Sequence, residues 1–199
     1  MTKRIDYFLS LQSPWTYLGH DRLQSIADRH DAKIKLYPVD FARIFSETGG
    51  LPLPQRAPAR RAYRMAELRR WRDFLELPMV LEPKFFPTAP QPATGMVIAA
   101  RAAGHDTMAL AGAILRAVWS QEQDTGDPNV LTAIAAGLGL DGEALISQSA
   151  MAKATAQLND DTDQALTAGV FGAPSYVYRG ELYWGQDRLD FLDRALARE

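Results

Sequence analysis

The stretch from Val170 to Tyr178 reads Val-Phe-Gly-Ala-Pro-Ser-Tyr-Val-Tyr, and it decides the fold of the chain. An apolar run meets Pro174, and a β-rich segment follows at once. Because proline cannot donate a hydrogen bond within a sheet, it belongs at the start of a strand or on an edge. The bond before Pro174 is a candidate for the cis form, which costs little before proline. An ordinary turn proline is the alternative, and this stretch alone does not separate the two.

Two short strands and a helix are predicted after Pro174. The strands cover Ser175–Tyr178 and Leu182–Trp184, with a glycine-containing turn between them. Asp187 is expected to open the last helix as its N-cap. That helix carries Leu189, Leu192 and Leu196 at helical spacing.

The N-terminal part of the chain predicts a βαβ unit. A buried, aromatic-rich strand covers Ile5–Leu9. Ser13 at the N-cap and Pro14 at the first helical position then announce a helix that runs to about Arg29. A second strand is predicted from Ile34 to near Asp40. The crossover between two such strands is right-handed, so the strands should be parallel.

The middle of the chain predicts helices only. They lie at about 59–75, 94–103, 107–121 and 127–138, with one after Asp141 and one from about Asp160 to Gly169. The order βαβ, helices, ββα is that of a thioredoxin-like fold with an insertion. We therefore expect an α/β protein in which residues 1–41 and 170–199 form the thioredoxin-like domain and residues 42–169 form an inserted all-helical domain. The ligand cleft should lie beyond the carboxyl ends of the parallel strands.

The composition limits the chemistry. The 199 residues include no cysteine, which excludes disulfides, thiolate metal sites and a dithiol of the protein's own. A net charge of -2 favours neither a nucleic-acid partner nor a membrane surface. No apolar stretch approaches the length of a membrane span, and the first residues lack the apolar core of a signal peptide, so we expect a cytoplasmic protein. The histidines lack metal-ligand spacing, so no metal site is predicted.

Ser13 allows two interpretations. Serine is a common N-cap, and capping alone would explain it. A helix N-terminus also offers unpaired N–H groups and a partial positive charge, which stabilise an anion. A thiolate held there would have to belong to a ligand, because the chain has no cysteine. Lowering a thiol pKa of about 8.5 by two would make the thiolate the majority form at neutral pH.

Three motifs, in this order, carry a resemblance to a known family. They are Ser13-Pro14-Trp15-Thr16-Tyr17-Leu18, Phe171-Gly172-Ala173-Pro174 and Trp184-Gly185-Gln186-Asp187-Arg188-Leu189, with Trp119-Ser120-Gln121-Glu122-Gln123-Asp124 in the helical part. Together they resemble the kappa-class glutathione transferases and their bacterial relatives, the 2-hydroxychromene-2-carboxylate isomerases, over almost the whole chain. The resemblance implies a thioredoxin-like core with a helical insertion, glutathione as cofactor and a homodimer.

The resemblance also assigns cofactor-binding residues. Ser13 matches the serine that hydrogen-bonds the sulfur of glutathione. Ala173, just before Pro174, matches the residue whose backbone pairs with the cysteinyl part of glutathione. The segment that holds the γ-glutamyl end is matched by Trp184, Gly185, Gln186 and Asp187. Asp187 can pair with the ligand's ammonium group, and capping of the last helix is its alternative role.

Substrate-binding residues follow less directly from the resemblance. Phe45 aligns where the isomerases have a lysine, and Gly50 where relatives have an asparagine. Gln55 and Arg56 fall where the isomerases have a polar pair that contacts substrate, and Phe85 or Phe86 falls near a substrate-contacting tyrosine. The arginines at 56, 60, 61, 64, 69, 70 and 72 are typical of a solvated helix face, and a carboxylate-binding rim formed by Arg56 or Lys84 is the alternative.

The resemblance implies a glutathione-dependent isomerase of the 2-hydroxychromene-2-carboxylate type, acting on a small aromatic carboxylate from aromatic catabolism. In that reaction a thiolate stabilised by Ser13 adds to the substrate, a bond rotates and elimination returns glutathione. A kappa-class glutathione transferase, which releases a conjugate, is one alternative. A non-catalytic thioredoxin-like protein that binds an extended peptide is the other.

Overall fold

The computed structural model describes residues 2–198, which contain one four-stranded sheet. Its strands are β1 (Arg4–Leu9), β2 (Lys33–Pro38), β3 (Ser175–Tyr178) and β4 (Glu181–Trp184). The spatial order is β2-β1-β3-β4, with β1 parallel to β2 and β3 antiparallel to both of its neighbours. This confirms the predicted βαβ…ββα order and the thioredoxin-like α/β fold.

Nine helices and two 3₁₀ turns complete the part of the chain that is described. The helices are α1 (Pro14–Arg29), α2 (Phe41–Thr48), α3 (Pro58–Phe74), α4 (Gln91–Ala102), α5 (Thr107–Trp119), α6 (Pro128–Gly137), α7 (Gly142–Leu145), α8 (Gln148–Thr167) and α9 (Leu189–Ala197). The 3₁₀ turns cover Leu53–Gln55 and Gln186–Arg188. Helices α2 to α8 therefore separate the two halves of the sheet in sequence. Within residues 2–198, no helix combines the length and apolarity needed to cross a bilayer.

The second strand and the helix after it differ from the prediction. Strand β2 ends at Pro38, and Asp40 is the N-cap of α2, which the sequence pattern did not predict. The Asp40 carboxylate accepts hydrogen bonds from the N–H groups of Ala42 and Arg43 at 2.9 and 3.2 Å. An aspartate after a strand is a common helix start, so the signal was present but was taken for the end of the strand.

Helix α8 also starts earlier than predicted. It begins at Gln148, not near Asp160, and Ser147 caps it by accepting a hydrogen bond from the N–H of Ala150 at 3.3 Å. Up to Leu158, this helix buries only Ala154 and Leu158. So few buried apolar side chains give a weak helical period, and the early turns were missed for that reason.

The prediction that Asp187 caps the last helix is wrong. Asp187 lies inside the 3₁₀ turn Gln186–Arg188, and α9 begins at Leu189 without a side-chain cap. The Asp187 carboxylate instead pairs with Arg188 at 2.7 Å and is exposed. The Asp187 carboxylate therefore does not cap α9.

Helix α1 connects the sheet to the inserted helices. One apolar cluster contains side chains from α1, the sheet and α5, among them Leu18, Leu23, Tyr7, Leu36, Ile114 and Leu115. Buried His20 adds a polar link, because its Nε2 donates to the carbonyl of Met108 at 2.9 Å while its Nδ1 lies 3.3 Å from the hydroxyl of Tyr7. Since a carbonyl only accepts, the proton is on Nε2 and Tyr7 donates to Nδ1.

Candidate active site

The N-terminus of α1 lies where β1 ends. Ser13 has extended backbone angles, and its Oγ accepts a hydrogen bond from the N–H of Thr16 at 3.3 Å. Its hydroxyl proton is therefore left to donate. Pro14 has no N–H, and the N–H of Trp15 has no acceptor within residues 2–198. The Ser13 hydroxyl and the Trp15 N–H are therefore available as donors at the positive end of this helix, which has 16 residues. Ser13 is partly exposed.

The Ala173–Pro174 segment reaches the same edge of the sheet. Its peptide bond is cis, which is one of the two forms that the sequence left open. Phe8 pairs with Ser175, so Pro174 lies beside the end of β1 from which the chain continues to Ser13. The backbone N–H and C=O of Ala173 form no hydrogen bond with any other residue of the described part. Ala173 therefore presents a free backbone edge to an extended ligand.

The turn after β4 is held against this edge from two sides. Gly185 has φ +101°, which side chains rarely allow, and its N–H donates to the carbonyl of Pro174 at 2.9 Å. Buried Gln186 accepts hydrogen bonds from Arg22 of α1, at 2.7 Å on its side chain and 3.2 Å on its carbonyl. These contacts fix the turn that carries the exposed carboxylate of Asp187.

An exposed aromatic pair borders the turn. The ring centres of Phe171 and Trp184 lie 4.7 Å apart. The exposed fraction is 41% for Phe171 and 50% for Trp184. Gly172 allows this arrangement, because a Cβ there would overlap Nε1 of the Trp184 indole. The pair is therefore an accessible apolar surface beside Ala173.

Three buried titratable side chains below the site are uncharged at neutral pH. The ring of Tyr176 stacks on that of Tyr7 at 5.3 Å. Burial raises the pKa of Tyr7 and of Tyr176 above that of a free phenol, and burial lowers the pKa of His20. The residues that fix the site from below, His20 and Arg22, were not assigned from the sequence, since each acts on a partner far along the chain.

The structure places the predicted substrate residues in two groups. In the first, the guanidinium of Arg56 lies 6.0 Å from the ring centre of Phe45, and Arg56 Nε donates to the carbonyl of Leu51 at 2.7 Å. Gly50 borders the same ring so closely that a Cβ there would overlap it. Gln55 lies exposed in the 3₁₀ turn just before Arg56.

The second group lies on the loop between α3 and α4. The ammonium of Lys84 is 4.9 Å from the ring centre of Phe85. Phe86 is turned inward, since its ring lies 4.9 Å from that of buried Trp119. The main-chain N–H of Lys84 donates to the carboxylate of Glu122 at 3.1 Å, which ties this loop to the segment after α5. The role of either group in binding substrate stays a prediction.

A cavity of about 200 Å³ lies at the carboxyl ends of β1 and β2. It is the position expected for a ligand cleft in a sheet of this kind. Its lining includes the loop Ser10–Gln12 just before Ser13, the start of α2, and Thr88 and Thr125. The side chain of Gln12 donates to the carbonyl of Thr88 at 2.5 Å, so the loops on its two sides are joined.

Comparisons with known proteins agree with this architecture. Residues 4–197 match the model of the DSBA-like thioredoxin domain. The chain is 31% identical to 2-hydroxychromene-2-carboxylate isomerase of Sphingobium xenophagum, over 98% of this chain and 99% of that protein. It is 23% identical to glutathione S-transferase kappa 1 of Homo sapiens, over 100% of this chain and 93% of that protein. A solved 2-hydroxychromene-2-carboxylate isomerase superposes with a TM-score of 0.80 at 25% identity, covering 98% of this chain and 95% of that one.

The fold and the site together define a thioredoxin-like protein whose second half is separated from the first by helices. The chain belongs to the DsbA-like thioredoxin family, and within it to the group that contains the 2-hydroxychromene-2-carboxylate isomerases and the kappa-class glutathione transferases. The resemblance seen in the three motifs is thereby confirmed.

Proposed function

We propose that this protein is a glutathione-dependent isomerase of small aromatic carboxylates of the 2-hydroxychromene-2-carboxylate type. The observation that carries the proposal is the free donor set at the N-terminus of α1, beside the unpaired backbone of Ala173, in a chain without cysteine. Glutathione, when bound, supplies the thiolate that adds to the substrate and leaves again after bond rotation.

The residues at this edge of the sheet fit glutathione. The Ser13 hydroxyl, with its proton unused, and the N–H of Trp15 stabilise a thiolate. The free N–H and C=O of Ala173 match a peptide backbone laid alongside them. The Asp187 carboxylate binds an ammonium group, and within residues 2–198 its one ion pair is with the exposed side chain of Arg188.

A substrate carboxylate has a cation available in the first group of predicted residues. Arg56 pairs with no carboxylate of the described residues, and one of its N–H groups is held by Leu51. The remaining N–H groups are free to bind a carboxylate or the enolate that develops in the reaction. Phe45 supplies a flat apolar surface beside that cation.

The first test is calorimetry of the purified protein with reduced glutathione. We expect binding and a thiolate absorbance that develops near neutral pH. Conversion of 2-hydroxychromene-2-carboxylate, followed by absorbance while free thiol is counted, should then need only catalytic amounts of glutathione. If millimolar glutathione produces no heat of binding and no thermal stabilisation, the proposal is refuted and a peptide-binding protein is favoured.

A kappa-class transferase is the second candidate, and one observation favours it. In the alignment that the resemblance implies, Phe45 falls where the isomerases carry a lysine, so a cation expected near the substrate of an isomerase would be missing from that position. Stoichiometric loss of thiol, with a stable conjugate on a chlorinated aromatic acceptor and no chromene conversion, would establish the transferase.

A further inference from the structure

The cavity at the carboxyl ends of β1 and β2 is bounded by three loops that are tied together. Gln12, on the loop before α1, donates to the carbonyl of Thr88 at 2.5 Å. The Thr88 hydroxyl lies 3.2 Å from that of Thr125, which is on the segment between α5 and α6. A Cβ at Gly126 would lie 3.3 Å from the backbone nitrogen of Ala89, so this segment packs closely on the loop that carries Thr88. The walls of the cavity are therefore held in place before a ligand arrives.

The lining of the cavity contains no cation among the described residues. Its one charged group is the carboxylate of Asp40, which already accepts N–H groups at the start of α2. A ligand carboxylate placed here would lie near a like charge without a cation to pair with, which is unfavourable. The charged end of a ligand should therefore stay outside the cavity.

The size and the apolar part of the lining suit one aromatic ring. The cavity has a volume of about 200 Å³, and an apolar cavity of about 150 Å³ in another protein binds benzene. The side chains of Leu11, Val39, Ala93 and Leu158 are buried and supply the apolar walls. Removing a ring from water into such surroundings is favourable, and this burial is the main source of affinity for an apolar group.

Two threonine hydroxyls add a polar contact to this lining. Thr88 is partly buried, and Thr125 is only 1% exposed. Whichever of the two donates to the other, the acceptor keeps its own proton, and neither hydroxyl has a further partner within residues 2–198. The pair can therefore donate a hydrogen bond to an oxygen carried by the ring.

The cavity adjoins the proposed thiolate site. Ser10 lines the cavity, and its carbonyl accepts the N–H of Ser13 at 3.1 Å. The two residues are the ends of one turn, so their Cα atoms lie within about 7 Å of each other. A ring in the cavity and a sulfur at the start of α1 are thus placed at the two ends of the same turn.

We propose that this cavity binds the oxygen-bearing aromatic ring of a small ligand, with the hydroxyls of Thr88 and Thr125 as partners of that oxygen. That the ring belongs to the substrate rests on the proposed function. A chromene carries an oxygen on its aromatic ring, and this oxygen becomes a phenol hydroxyl when the second ring opens. The substrate then binds ring first, with its carboxylate at the mouth of the cavity. Neither threonine was assigned from the sequence.

The test compares phenol with toluene, which lacks the hydroxyl, in the wild type and in the double variant Thr88→Val, Thr125→Val. The double variant removes both members of the hydroxyl pair, so no partner is left unpaired and the unliganded protein should lose little stability. The hydration of each ligand is the same with both proteins, so a change in the ratio of the two affinities measures the hydroxyl contact. The ratio should move about twofold to tenfold towards toluene in the double variant.

Two control variants should keep the wild-type ratio. Thr125→Ser retains a hydroxyl at the proposed position. Thr132→Val removes a partly buried hydroxyl of α6 that does not line the cavity. Benzoate tests the charge, and it should bind the wild type more weakly than phenol does.

Affinities are measured by calorimetry and thermal unfolding without glutathione, so that a failed cofactor assignment does not affect them. No binding of phenol to the wild type, an unchanged ratio in the double variant, or tighter binding of benzoate than of phenol overturns the proposal.

A second experiment tests the occupant in turnover of 2-hydroxychromene-2-carboxylate with glutathione. Phenol should compete with the chromene, and the double variant should raise KM more than it lowers kcat. If phenol binds but does not compete, the ring in the cavity is not that of the substrate, and this assignment is overturned. If phenol binds with the expected ratio but the chromene is not converted, the cavity assignment is supported and the proposed function is refuted.

Discussion

The substitution Ser13→Ala separates the two roles of the serine at the start of α1. It removes the Oγ that accepts the N–H of Thr16 at 3.3 Å and, at the same time, the donor proposed for the thiolate. The first loss affects the free energy of unfolding. The second affects only the bound ligand.

The two effects have different sizes. Losing a serine N-cap costs about 1 kcal/mol, which lowers the melting temperature by about 2–4 °C in a chain of this length. A hydrogen bond to a charged group contributes about 1.5–3 kcal/mol. Because one pKa unit corresponds to about 1.4 kcal/mol, the pKa of the bound thiol should rise by about 1 to 2. If the bound thiol has a pKa of about 6.5, the thiolate fraction at pH 7, and with it the rate, should fall by about threefold to twenty-fivefold.

Ser147→Ala is the matched control. Ser147 caps α8 with a hydrogen bond of the same length, 3.3 Å to the N–H of Ala150, on a helix with no predicted role in binding. Ser147→Ala also removes the hydrogen bond from Ser147 Oγ to the carbonyl of Ala144 at 2.9 Å, so it should lose at least as much stability as Ser13→Ala. Only Ser13→Ala should change the thiolate titration, which is followed by ultraviolet absorbance of the glutathione complex against pH. If Ser13→Ala keeps the thiolate pKa and the turnover of the wild type, Ser13 is a helix cap and nothing more.

Two further predictions concern the rest of the site. Asp187→Asn should weaken glutathione binding in calorimetry with little loss of stability. Its control is Asp73→Asn, which breaks a similar ion pair with an adjacent arginine, Arg72, and should leave binding unchanged. Burial lowers the pKa of His20, so the folded protein favours the neutral ring, which accepts a hydrogen bond from Tyr7. The neutral ring therefore contributes to the free energy of unfolding. This contribution is complete above about pH 6.5 and is lost as the pH falls through the lowered pKa of the folded state. Urea unfolding between pH 8 and 5 should therefore show a smaller loss in His20→Gln than in the wild type, and equal slopes would refute the assignment.

The sequence predicted the parts of the fold that local rules determine. The Ser13-Pro14 pair predicted the start of α1, and runs rich in aromatic and β-branched residues predicted β1 and β3. It failed where a residue type had two meanings, as with Asp40, which was taken as the end of a strand and is the N-cap of α2. It failed again at the start of α8, where small buried residues left little hydrophobic period.

The candidate site divides in the same way. Local motifs indicated Ser13, Ala173 and Asp187 as candidate site residues, because a helix start, a proline and a turn each have a recognisable local sequence pattern. The contact between Arg22 and Gln186 joins residues far apart in the chain, and no local pattern records it.

The position of the proposed thiolate site depends on how firmly α1 is held, and three contacts along this helix hold it. The Tyr17 hydroxyl donates to the carbonyl of Pro78 at 2.8 Å, and His20 donates to that of Met108 at 2.9 Å. Arg22 binds Gln186 in the turn that carries Asp187. These partners lie after α3, on α5 and after β4, so one helix is fixed against the inserted helices and the second half of the sheet at once. Donors held in place before the ligand arrives need no rearrangement when charge develops, which is the condition for strong stabilisation of a thiolate by one serine and a helix end.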